Sequence, residues 1–173
     1  NGQARLTGES YDDGDTTVFP QGRLVVDDST IESAGTLIVS GEVDVDGDSI
    51  VTYDAGVEIV DGLIALDGAF DTGAGMTLQS GTLDLGIADV TLRALTVDET
   101  STLDVGASTL RFVGSGESSI DGLMTVSSSS AVVPRVLVED AHEITSGGWV
   151  FGWDPTEAGR LQVGPRGGAE RPT

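Results

Sequence analysis

The chain has 173 residues, with eight arginines, no lysine, 29 acidic side chains, one histidine and no cysteine, for a formal net charge of −21. A field that negative repels phosphate backbones and anionic lipid, which argues against nucleic-acid binding and electrostatic membrane docking. Without thiols there is no disulfide framework, cysteine zinc site, iron–sulfur cluster or cysteine nucleophile, and no apolar run approaches the roughly 20 residues of a bilayer span, so membrane insertion is not expected.

Leu, Ile, Val and Phe total 47 of 173 residues, above the roughly one-fifth floor below which chains stay unfolded. Val and Ile together (28) outnumber Leu (15), and 25 glycines punctuate short apolar runs. That composition favours strands and tight turns. The chain opens on Asn1 rather than Met, as expected of a processed chain or a piece of a longer one.

In chain order, residues 1–21 hold acidic, glycine-rich turns and a short Thr-Val-Phe strand ended by Pro20, and are expected to form an N-terminal cap or partial coil. From Gly22 a repeat begins: GRLVVD at Gly22, GEVDVD at Gly41, GLIALD at Gly62, GTLDLG at Gly81, STLDVG at Ser101 and GLMTVS at Gly122. The intervals are 19, 21, 19, 20 and 21 residues. Two residues after each anchor stand Leu24, Val43, Ile64, Leu83, Leu103 and Met124, and four after it Val26, Val45, Leu66, Leu85, Val105 and Val126. The column between them is mostly polar or small: Val25, Asp44, Ala65, Asp84, Asp104 and Thr125. Period-2 alternation with one apolar side describes a strand lying on a core.

Each repeat carries further strand candidates, such as 49–53, 56–60, 88–93 and 95–98. Three short strands and three corners fit about 20 residues at about 3.3 Å per strand residue. The predicted fold is all-β: a single-stranded parallel β-helix, or β-solenoid, of about six triangular coils over residues 22–141, right-handed by the general crossover rule. Residues 142–173 are expected to form a C-terminal capping or interaction segment and a tail.

Five positions after the first three anchors come Asp27, Asp46 and Asp67, which coil stacking places one above another. Carboxylates at steps of roughly 5 Å repel unless a cation or salt intervenes. With Asp44 and Asp48 nearby, a calcium ion is one reading of this corner and solvated turn aspartates the other. The stretch from Asp44 to Ser49 is not an EF-hand, because its glycine falls at the fourth loop position and Ala55 stands where the closing glutamate belongs. The lack of lysine and the excess of Asp (19) over Glu (10) also suit a salt-adapted acidic protein.

Enzyme activity is not expected. His142, between Asp140-Ala141 and Glu143, reads as a surface histidine, since no G-x-S-x-G elbow accompanies it and one histidine cannot supply three metal ligands. Asp27 with Asp28, or the ladder Asp44, Asp84 and Asp104, offers paired carboxylates for a polysaccharide lyase or hydrolase. However, Arg23, Arg93 and Arg111 are scattered over different coils. Trp149, Phe151 and Trp153 alternate so that three aromatics share one side, suited to capping the solenoid, to stacking on sugars or to a subunit contact.

The Gly/Ser-Thr-Leu-x-Val/Leu-Gly unit, clearest in GTLDLG at 81–86 and STLDVG at 101–106, resembles the β-helical passenger and adhesin repeats of bacterial autotransporter-type surface proteins. A more distant similarity is to bactofilins, which have a short triangular β-helix. The resemblance covers roughly residues 22–140 and implies a secreted or surface-displayed protein. The expected function is structural, by self-association or cell-surface assembly; the alternatives are an adhesin or glycan-binding passenger fragment and a virion spike or appendage. The expected partner is a further copy of the chain, with surface glycans second. No cofactor is expected apart from the calcium reading.

Overall fold

The computed structural model describes residues 2–8, 10–125, 135–138, 143–146 and 162–164. These contain twenty strands, numbered here in chain order, and no helix. The strands form a β-solenoid of about six turns. Its first face stacks β1 (Gln3–Thr7), β4 (Arg23–Asp27), β7 (Glu42–Val45), the second half of β9 (Gly56–Leu66), the second half of β11 (Met76–Asp84), β14 (Ser101–Asp104) and β17 (Leu123–Thr125). The second face stacks β2 (Ser10–Asp13), β5 (Thr30–Ser33), β8 (Ile50–Tyr53), β10 (Ala69–Thr72), β12 (Asp89–Leu92), β15 (Thr109–Phe112), β18 (Arg135–Val138) and β20 (Gln162–Gly164). The third holds β3 (Thr16–Val18), β6 (Thr36–Val39), the first halves of β9 and β11, β13 (Leu95–Val97), β16 (Glu117–Ile120) and β19 (Glu143–Ser146). All pairings are parallel.

The register reproduces the columns of the repeat. Leu24 pairs with Val43, Val43 with Ile64, Ile64 with Leu83, Leu83 with Leu103 and Leu103 with Met124. Each of these six side chains is buried, as are Val26, Val45, Leu66, Leu85 and Val105 in the neighbouring column. Burying one such aliphatic is worth roughly 1.5–3 kcal/mol relative to exposure. The stack is therefore held by long aliphatic ladders, with parallel backbone pairing satisfying the main chain. The second face contributes Ile31, Val51, Phe70, Val90 and Leu110, and the third Val39, Ile59, Leu78, Val97 and Ile120.

Corner length varies from coil to coil, and between β9 and β11 the register shifts at the corner from Leu78 to Gly81. Between the first two faces the corner is Asp28-Ser29 in one coil, Asp46-Gly47-Asp48-Ser49 in the next and Asp67-Gly68 in the third. Uneven repeat lengths are thus absorbed outside the core. The anchor glycines have a steric reason: a Cβ on Gly81, which sits at φ 127°, would stand 2.2 Å from the Gly62 carbonyl oxygen of the coil before it. Only glycine combines that φ with such a close backbone approach. Ser101 occupies the same column with a side chain, and its buried hydroxyl donates to the Leu78 carbonyl at 3.1 Å.

Residues 1–21, expected as a cap or partial coil, supply one strand to each face: β1, β2 and β3 pair in parallel with β4, β5 and β6. Within 142–173, β19 and β20 likewise continue the third and second faces, against β16 and β18.

Candidate functional site

On the outside of the first face, Gln3, Arg5, Arg23, Val25, Asp27, Asp44, Asp46 and Asp67 line a groove of about 370 Å³. The register assembles it. Arg5, Val25, Asp44 and Ala65 form one outward column, and Gln3, Arg23, Glu42 and Leu63 the next. An arginine is long enough to reach the row beyond its own. Arg5 pairs with Asp27, and Arg23 donates through one Nη to Asp44 Oδ2 at 2.7 Å and through Nε to Glu42 at 3.3 Å. These pairs are solvent-accessible, so each is worth about 0.2–1 kcal/mol. Their larger effect is to place two cations among the carboxylates of an otherwise acidic surface.

The aspartate column lies at the end of the first-face strands, with Asp27 closing β4 and Asp46 and Asp67 one residue beyond β7 and β9. The Asp46 N–H donates to the Val26 carbonyl at 2.9 Å and the Asp67 N–H to the Val45 carbonyl at 2.8 Å, so Asp27, Asp46 and Asp67 follow one another along the axis. Asp46 Oδ1 also accepts the Gly47 N–H. The next position is Gly86, where a Cβ would lie 2.4 Å from Asp67 Oδ1. The column therefore ends at Asp67 because the following corner has no room for a side chain. Four of the five residues read as candidate calcium ligands line this groove: Asp27, Asp44, Asp46 and Asp67. Asp48 is exposed on the same corner as Asp46 but outside the groove lining. Among the described residues no group of three or more His, Asp or Glu side chains is placed to hold a metal ion.

Asp84 and Asp104 fasten their own corners: Asp84 Oδ1 accepts the Gly86 N–H at 3.0 Å, and Asp104 Oδ1 the Gly106 N–H at 3.1 Å. This two-residue reach is the usual work of a turn aspartate. His142 and the aromatic triplet Trp149, Phe151 and Trp153 lie outside the described residues.

A second feature occupies the first coil. Ala4 stands in the column that otherwise holds Leu24, Val43, Ile64, Leu83, Leu103 and Met124. Beside it a cavity of about 410 Å³ is lined largely by Val18, Phe19, Pro20, Gly22 and Leu24, and Phe19 is 71% exposed. Neither Arg5 nor Phe19 is marked by local sequence. The signal was the spacing: Gly2 lies 20 residues before Gly22, with Ala4 and Leu6 in the two inward columns. Alanine is too weakly apolar to reveal that row by pattern.

No protein-family model, no curated protein and no solved structure matches the chain.

Proposed function

We propose that this β-solenoid repeat protein is an extracellular or cell-surface structural element that works by self-association, building a filament or surface layer. One observation carries the reading. Successive coils among the described residues meet in the same way, three parallel strands on three, so one cross-section repeats along the axis and suits stacking on a further copy. A parallel stack that is open at an end is a template for another coil of the same cross-section. The likeness of GTLDLG and STLDVG to autotransporter-type passenger repeats agrees with a surface location.

Electron microscopy of the purified chain in negative stain, at low salt and at high salt with and without calcium, tests this. Ordered filaments or sheets are expected at high salt, where the repulsion of a −21 chain is screened. Isolated particles under all conditions would refute it.

A second reading, an adhesin or glycan-binding segment, rests on the groove of the first face, where arginine donors and carboxylate acceptors surround Val25. Saccharide hydroxyls pair with both kinds of group. Binding on a glycan array that is lost in Arg23→Ala would favour it over assembly.

A further inference from the structure

We propose that the Asp46-Gly47 bond is a self-modification site: in the folded chain the Gly47 nitrogen closes on Asp46 Cγ to a succinimide, which water opens to isoaspartate. The inference is independent of self-association and needs no reactant but water.

The sequence holds five Asp-Gly bonds, at 13–14, 46–47, 61–62, 67–68 and 121–122. Each has the glycine that leaves the attacking nitrogen unhindered, so sequence ranks them alike. The fold separates them. The Gly68 N–H donates to the Val45 carbonyl at 3.2 Å, and the Gly122 N–H to the Val97 carbonyl at 3.1 Å. Asp61-Gly62 lies inside β9, paired with β7 on one side and β11 on the other. Asp13 closes β2 in register with Ser33 of β5, and the Gly14 carbonyl accepts the Ser33 hydroxyl at 2.7 Å. In these four the backbone is engaged by a neighbouring coil, and attack must first pull it away from those hydrogen bonds.

Gly47 differs. Its N–H turns onto the side chain of the residue before it, where Asp46 Oδ1 accepts it at 2.5 Å. A nitrogen that close to Oδ1 is within reach of the Cγ to which that oxygen is bonded, so the folded corner holds the reacting pair together. Asp46, Gly47 and Asp48 are all exposed, which gives water access. The corner also has room to change: a Cβ on Gly47 would meet only the Asp67 carbonyl oxygen, at 3.7 Å.

The chemistry balances without any oxidation or reduction. With the Asp46 carboxyl protonated, the N–Cγ bond forms, the Cγ–OH bond breaks, and the Gly47 amide proton leaves with that hydroxyl as water. Water then adds to one of the two imide carbonyls. Addition at Cγ restores aspartate. Addition at the former main-chain carbonyl carbon breaks its bond to the Gly47 nitrogen and sends the chain through Cβ and Cγ, one carbon longer. This corner already runs longer than those of the coils on either side, so the extra carbon falls outside the core. The succinimide takes one charge out of the column of Asp27, Asp46 and Asp67, and isoaspartate returns it in a shifted place.

Peptide mapping of the whole folded chain before and after prolonged incubation at neutral pH tests this, with a glutamate-specific protease to release residues 43–58 and electron-transfer fragmentation to assign the isomer. Isoaspartate is expected at residue 46 at least about tenfold faster than at 13, 61, 67 or 121, the rate effect of roughly 1.4 kcal/mol. A species lighter by one water should precede it. Gly47→Ala adds a methyl into open space and is expected to match the parent by circular dichroism while slowing isomerisation at 46 about tenfold or more. Equal rates at all five bonds of the folded parent overturn the proposal, as does an unchanged rate in folded Gly47→Ala. So does a folded chain that gains nothing at residue 46 while the urea-unfolded chain isomerises there. The comparison among the parent's own five bonds decides the matter even if the variant misfolds.

Discussion

The Tyr53 hydroxyl donates a 2.9 Å hydrogen bond to Oγ1 of Thr16, which precedes it by 37 residues. Tyr53 is buried on the second face in the third row, and Thr16 belongs to the third face in the first, so the ring spans two coil steps inside the stack. The row between holds Ser33 in the tyrosine's column, small enough to leave the path open, and its hydroxyl donates to the Gly14 carbonyl at 2.7 Å. With Asp15 Oδ1 accepting the Thr36 N–H at 2.9 Å, these polar links tie down the first coil, in which Val18 is the buried hydrophobic among the described residues.

Tyr53→Phe is therefore expected to cost about 1 kcal/mol, the net worth of one buried hydrogen bond. Hydrogen exchange should locate the loss: amides of β1, β2 and β3 exchange faster, while those of β12 and β15 keep the parent rate. Uniform acceleration throughout the stack would show that the first coil does not open separately.

Thr72 is fully buried between Tyr53 and Leu92 in the same column, and its hydroxyl has no hydrogen-bond partner. Thr72→Val keeps the shape and removes the unsatisfied group, so stability should rise by about 1 kcal/mol. The urea midpoint should move up with the slope unchanged. A fall in the midpoint would mean that the hydroxyl is satisfied in solution.

Gly81→Ala should be among the most damaging single changes in the stack. The added Cβ meets the Gly62 carbonyl oxygen at 2.2 Å, and the residue sits at φ 127°. Backbone strain and overpacking together cost about 3–5 kcal/mol. Ser101→Gly, in the same column, loses only the bond to the Leu78 carbonyl and some chain stiffness, about 1–2 kcal/mol. Equal losses in denaturant titrations of the two variants would refute the steric account.

Salt should stabilise the chain, since its net charge is −21 and Asp27, Asp46 and Asp67 follow one another along the axis. Raising sodium chloride from about 0.05 M to about 1 M shortens the screening length from over 10 Å to about 3 Å. The melting temperature is expected to climb over that range. Asp46→Asn removes the central charge and keeps an oxygen for the Gly47 N–H, so it should raise low-salt stability and flatten the salt dependence. If calcium stabilises more than magnesium at equal ionic strength, and Asp46→Asn abolishes the difference, the aspartate column is a metal site instead.

The sequence by itself determined the coil. Alternation at period 2 and an anchor every 19–21 residues are local properties, and they placed Leu24, Val43, Ile64, Leu83, Leu103 and Met124 in one buried ladder, which the observed register repeats pair by pair. The same spacing placed Asp27, Asp46 and Asp67 in line. Tertiary structure alone decided what those carboxylates meet. Arg5 reaches Asp27 and Arg23 reaches Asp44 because outward columns from adjacent coils lie side by side, and a long side chain crosses from one row to the next. It also decided that Asp84 and Asp104 fold back on their own corners, and that Tyr53 finds Thr16 two rows away. Periodicity encodes which way a side chain points. Whom it touches depends on stacking distance, corner length and the reach of its neighbours, which exist only once the coils are closed.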